Sequence, residues 1–169
     1  LKRPYYCGIG SRQTPPEVQK EIREIAKRLS RAGWTLRSGF AEGADEAFEQ
    51  GHGKGLKEIY LPWPKFRDHP STLVKFDQET MKRAYEIAEK YHPAWEKCNS
   101  SARKMHSRNV FQVLGHTFDK PVEYVICWTP DGGPSGGTGQ AMRIADALRI
   151  PILNIYHEGH LELALDLTS

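Results

Sequence analysis

Five glycines fall within eight residues in "GGPSGGTG" (132–139), between an apolar run, "VEYVICW" (122–128), and the helix-forming "GQAMRIADALR". Two shorter glycine turns, "GIGSR" (8–12) and "SGFAEGAD" (38–45), have the same setting of strand before and helix after. Bare backbone at the N-terminus of a helix exposes amide N–H groups at the positive end of the helix dipole, which is where anions bind. Glycine lets an oxygen-rich group approach that backbone without meeting a Cβ. The chemistry expected of Gly8, Gly10, Gly39, Gly43, Gly136 and Gly137 is therefore the cradling of phosphate.

Side chains beside these turns extend the same chemistry. Arg12 is the natural cation for a phosphate, with a solvated surface arginine as the alternative. Ser11, Ser38, Thr129 and Thr138 have hydroxyls for phosphate or ribose, or equally for capping helices. Glu42 and Asp45 are both candidates for ribose hydroxyls; a structural role is the equal alternative for Glu42 and the favoured one for Asp45, which lies early in a helix, where a carboxylate is stabilising without a ligand. A further helix has Ala102, His106, Asn109 and Val113 on one face, flanked by Met105 and Val110. His106 and Asn109 interrupt an apolar stripe, where polar groups need partners. Either neighbouring backbone satisfies them, or this helix walls a binding crevice and offers them, with Arg108, to a nucleotide.

Other chemistries lack their residues. Gln13 stands where a third dinucleotide-binding glycine belongs, and the second strand ends in Arg37-Ser38 without the acidic residue that holds an NAD ribose. The remaining histidines, at 52, 69, 92, 116, 157 and 160, show no metal-binding spacing, and Cys7, Cys98 and Cys127 have no paired-cysteine pattern. No catalytic residue, metal site or cofactor is assigned. Trp63, between two prolines, is the one tryptophan placed to stack on a base.

The elements that position these residues alternate between strand and helix. Strands are expected at 5–9, 34–37, 57–61, 122–128 and 152–156. "TPPE" (14–17) predicts a helix capped by Thr14, with Pro15 first and Glu17 closing a capping box, and Gly33 ends that helix. Crossovers of helix length imply a parallel sheet covered on both faces. Residues 62–121 interrupt the rhythm with two helices, about 78–92 and 96–114, and no strand. The expected architecture is one Rossmann-like, doubly wound α/β domain of about five strands, with a helical insertion after the third. In the order 3-2-1-4-5, the turns after strands 1 and 4 face each other across one crevice at the carboxyl edge.

Composition sets the outer bounds. The chain has 169 residues, 38% of them hydrophobic and 27% charged, which fits a folded domain with a substantial core. Its net charge of +3 permits an anionic partner without demanding nucleic acid. No apolar run approaches the roughly 20 residues of a membrane span, and no secretory pattern opens the chain. With three scattered cysteines, a reducing, cytoplasmic setting and no membrane partner are expected.

The segments "CGIGSRQTPPEVQKEIREIAKRLSRAGWTLRSGFAEGADEAFEQG" and "PSGGTGQAMRIADALRIPILNI" resemble the Rossmann-like domain of the DNA-processing protein A (Smf) family, whose motifs include "GSR" and "SGxAxGxD". The likeness covers about 5–61 and 122–156 and places the chain near the SLOG superfamily. The segment "HSRNVFQVLG" in the insertion looks like that of small, phage-type members. This resemblance implies a nucleotide or nucleic-acid ligand over the glycine turns and a homodimer or larger homo-oligomer. It includes phosphoribohydrolases with "PGGxGTxxE", but Arg143 occupies the position of the terminal glutamate.

The leading expectation is a binding protein for a small phosphate-bearing nucleotide, ADP-ribose-like or cyclic, acting as sensor or sequestering protein. A single-stranded DNA-binding mediator is the alternative; it would use a basic track from Lys97, Arg103, Lys104 and Arg108. A nucleoside-monophosphate N-glycosidase using Glu42 or Glu46 is the third.

Overall fold

Parallel pairing and a single reversal of chain order organise the molecule, for which a computed structural model describes residues 4–169. Strands β1 (Tyr5–Gly10), β2 (Thr35–Ser38), β3 (Lys57–Ile59), β4 (Tyr124–Trp128) and β5 (Ile152–Asn154) form one sheet in the order β3-β2-β1-β4-β5, with every pair parallel. The expected architecture is therefore present. Helices α1 (Pro16–Arg31), α2 (Ala44–His52), α3 (Gln78–Tyr91), α4 (Ser100–Leu114), α5 (Gly136–Ala147) and α6 (His160–Asp166) supply the crossovers, the insertion and the C-terminal cover. None of them is long and apolar enough to cross a membrane.

Alternation along the central strands divides the core into two layers. Tyr6 of β1 and Ile126 of β4 face Ile22, Ile25, Leu29 and Phe48 of α1 and α2. Cys7 and Ile9, with Val125 and Cys127, face Val110, Val113, Ala141 and Ile144 of α4 and α5. The insertion is thus part of the second layer rather than an appendage. α3 joins it through Ala88, while Tyr60, Ala84 and Phe111 form a smaller cluster beside it. The cysteines are free thiols.

Several boundaries differ from those read in the sequence. β3 ends at Ile59, because the chain beyond it pairs with Leu73: Tyr60 bridges to it, and the Leu61 N–H donates to its carbonyl at 3.1 Å. α4 begins at Ser100, where the Asn99 side chain accepts the Ala102 N–H at 2.8 Å. Thr14 does not cap α1. Pro15 is the N-cap, Pro16 is the first helical residue, and no side chain caps this end. The Thr14 hydroxyl instead donates to the Ser11 carbonyl at 2.6 Å, which ties down the first glycine turn.

Candidate functional site

The carboxyl ends of β1 and β4 open into a cleft of about 660 Å³, between the first and third glycine turns and under α4. Its floor includes Ile9, Gly10 and Asp45; one bank has Ser11, Arg12 and Glu42, the other Thr129, Gly136, Gly137 and Thr138. Met105, His106, Arg108 and Asn109 of α4 form the wall. The crevice lies at the point where the sheet order reverses, between strands β1 and β4.

The third turn presents the amides. Ser135 precedes α5 without capping it, and Gly139 provides the first helix amide to find a carbonyl, that of Ser135 at 2.9 Å. The N–H groups of Gly136, Gly137 and Thr138 thus have no acceptor within the first turn, as helix geometry dictates. A Cβ built on Gly137 would meet only the Asn109 side-chain nitrogen, at 3.9 Å, so its surroundings are open. Opposite, Arg12 is exposed at the rim.

The first two turns are more committed. The Gly10 N–H donates to Asp45 Oδ1 at 3.3 Å, and the Ser11 N–H to the Trp128 carbonyl at 3.0 Å. The Ser11 carbonyl accepts the Ala44 N–H at 3.3 Å, which welds the turn after β1 to the start of α2. Gly43 makes that weld possible. Its φ of +81° is in the left-handed region, and a Cβ there would lie 2.5 Å from the Ser11 oxygen. Gly8 and Gly39 likewise serve packing, against Phe48 and against Gln112 and Arg108. Ser38 donates its hydroxyl to the Gly8 carbonyl at 2.6 Å, between neighbouring strands. These four residues, Gly8, Ser38, Gly39 and Gly43, support the site without lining it.

On α4 the polar residues read as ligand contacts have protein partners. Arg108 is buried and donates to the carbonyls of Gly39 and Tyr60 at 2.8 and 3.1 Å, and to Asn109 Oδ1 at 3.0 Å. Asn109 passes the connection on, donating to the Gly137 carbonyl at 2.9 Å. The pair spans the cleft from the β2 and β3 ends to the third turn. Burial lowers the Arg108 pKa, and the nearby Asp45 carboxylate opposes that shift. His106 differs: its Nδ1 is buried with no hydrogen-bond partner among the described residues. Burial, followed by the neighbouring His92, Arg143 and Arg108, brings its pKa down to about 4, so the ring is neutral at physiological pH.

Asp45 is the floor residue that the sequence underrated. It is fully buried and accepts N–H bonds from Gly10 and Ala41, both at 3.3 Å. Burial pushes its pKa up to about 6, against the pull of Arg108 and of the Ala41, Gly10 and Gly39 amides. Its position in the first turn of a helix masked this, since that position has an ordinary structural explanation.

Other expected contributors lie elsewhere. Glu46 pairs with Arg67 at 2.7 Å, Trp63 packs edge-on against Phe66, and Arg103 donates to the Trp95 carbonyl at 3.0 Å with its guanidinium over that indole. With Arg108 also buried, two of the four residues of the supposed basic track are engaged inside the protein. The fold also gathers a group that sequence spacing hid: His92, Cys98 and His106, whose ligand atoms all lie within 4.8 Å of one another.

No family model matches the chain, and no curated protein matches it.

Proposed function

We propose that the protein binds a small phosphate-bearing nucleotide in the cleft between the turns after β1 and β4, as a sensor or sequestering protein. The observation that carries this reading is that Gly136, Gly137 and Thr138, whose amides have no acceptor among the described residues, line the same cleft as Arg12. Amides at a helix start and a guanidinium are the complement of a phosphate. The volume, about 660 Å³, lies within the roughly 300–1,000 Å³ of small-molecule sites.

The neutral His106 ring, Met105 and Ala102 offer a less polar flank for a base or ribose. Glu42, exposed at the rim, is the carboxylate placed for ribose hydroxyls. The resemblance to the DNA-processing protein A domain and the SLOG superfamily points the same way. Binding without turnover is preferred because the carboxylate of the hydrolase pattern is missing from its position. Arg143, at the position of the hydrolase glutamate, donates instead to the Tyr91 carbonyl at 2.8 Å.

Isothermal titration calorimetry against ADP-ribose, linear and cyclic mononucleotides and cyclic dinucleotides tests the reading. The expected outcome is saturable binding of one nucleotide per chain or per pair of chains, weakened in Arg12→Ala. Absence of heat with every member of the panel overturns it.

A further inference from the structure

Behind the wall of the cleft, three side chains of unlike origin meet. His92 is the C-cap of α3, Cys98 follows the turn Trp95–Lys97, and His106 lies one and a half turns into α4. The two imidazole rings are 4.4 Å apart between centroids. The Cys98 sulfur is 3.7 Å from His92 Nε2. A sulfur and a nitrogen on one tetrahedral zinc stand about 3.5 Å apart, given bonds near 2.3 and 2.0 Å. From this geometry we infer a metal site for a late first-row divalent ion, zinc above all, held by His92, Cys98 and His106.

Two features support it beside the distances. His106 Nδ1 is buried without a partner among the described residues, so this ring has an uncommitted nitrogen. The donor set, two imidazoles and one thiol, suits zinc better than magnesium or calcium, which take oxygen ligands. Three protein ligands leave a fourth position for water.

Two features oppose uptake. His92 Nδ1 accepts the Ala94 N–H at 3.0 Å, so the proton of this neutral ring sits on Nε2, while the sulfur stands 3.7 Å from Nε2 and 3.9 Å from Nδ1. Ligation through Nε2 moves that proton to Nδ1 and gives up the Ala94 bond. The nearby Arg143 guanidinium adds positive charge, although its bonds to Tyr91 and Gln140 hold it in place. Conversion of the Cys98 thiol to thiolate offsets that charge. In balance, a dication enters, the sulfur–metal bond forms, and the thiol proton leaves to solvent.

Cobalt(II) titration of untagged, reduced protein is the test. A thiolate-to-cobalt charge-transfer band and d–d bands of tetrahedral intensity should grow to one ion per chain and be displaced by zinc. Cys98→Ser should abolish the charge-transfer band. His92→Gln and His106→Gln should each weaken binding at least about tenfold. His157→Gln, remote from the group, should leave the titration unchanged, and circular dichroism should show each variant folded. Failure of the band to form with wild-type protein, its persistence in Cys98→Ser, or unchanged affinity in both ligand-histidine variants would overturn the site. Cys98 does not line the cleft, so its substitution separates this site from nucleotide binding.

Discussion

Arg108 donates from Nε to Oδ1 of Asn109, its neighbour on α4, at 3.0 Å, and the two side chains then reach to opposite banks of the cleft. Arg108 holds the carbonyls at the ends of β2 and β3, and Asn109 holds Gly137. The insertion therefore clamps both sides of the carboxyl edge of the sheet.

Removing that clamp should be costly. Arg108→Ala leaves two carbonyls, the Asn109 oxygen and the Asp45 carboxylate without their buried cation. Each buried acceptor left without its donor typically costs about 1–3 kcal/mol. Urea unfolding should show a matching fall in the transition midpoint, with Arg108→Lys only partly restoring it, because a lysine cannot fork to the same acceptors.

Asp45 predicts a pH dependence of definite sign. Its folded pKa is raised to about 6 from an ordinary 3.8, so folding favours the protonated form. Its contribution is fully present below about pH 4 and is lost as pH rises through about 6. Relative to Asp45→Asn, the wild-type protein should gain up to about 3 kcal/mol between pH 7.5 and pH 4, on the order of two pKa units. Unfolding free energies of both proteins across this range check it; a pH-independent difference contradicts the assignment.

Gly137 offers a way to block the cleft without harming the fold. Its conformation is helical and a Cβ there meets little. Gly137→Leu should leave thermal stability unchanged or slightly higher, since leucine gains up to about 1 kcal/mol over glycine in a helix. Nucleotide affinity should fall at least about tenfold, as the side chain occupies ligand volume. Calorimetry with melting curves separates the two effects.

Arg12 tests the electrostatic half of the site. It is exposed and has no hydrogen bond among the described residues, so Arg12→Ala should alter stability by less than about 0.5 kcal/mol. Nucleotide binding should weaken, and its dependence on salt concentration should become shallower.

The alternation of strand and helix, the strand order and the place of the insertion were legible because each rests on local pattern: apolar runs, glycine stops and crossover length. The convergence of the turns after β1 and β4 followed from topology alone. What stayed hidden was non-local. Thr14 matched a capping box, but two successive prolines moved the helix start, and its hydroxyl found the Ser11 carbonyl. Arg108 and Asn109 were visible as polar residues on an apolar face, whereas their acceptors lie 69, 48 and 28 residues away. His92, Cys98 and His106 were too irregularly spaced to read as a set; only the reversal between α3 and α4 brings them together.

The clamp formed by Arg108 and Asn109 also bears on how a guest would enter. Hydrogen bonds on both margins fix the width of the mouth before anything arrives, so little ordering remains to be done on arrival. Selection would then be by size and shape at a preset aperture, and crystal structures with and without an occupant should superpose within about 1 Å over the backbone of these turns.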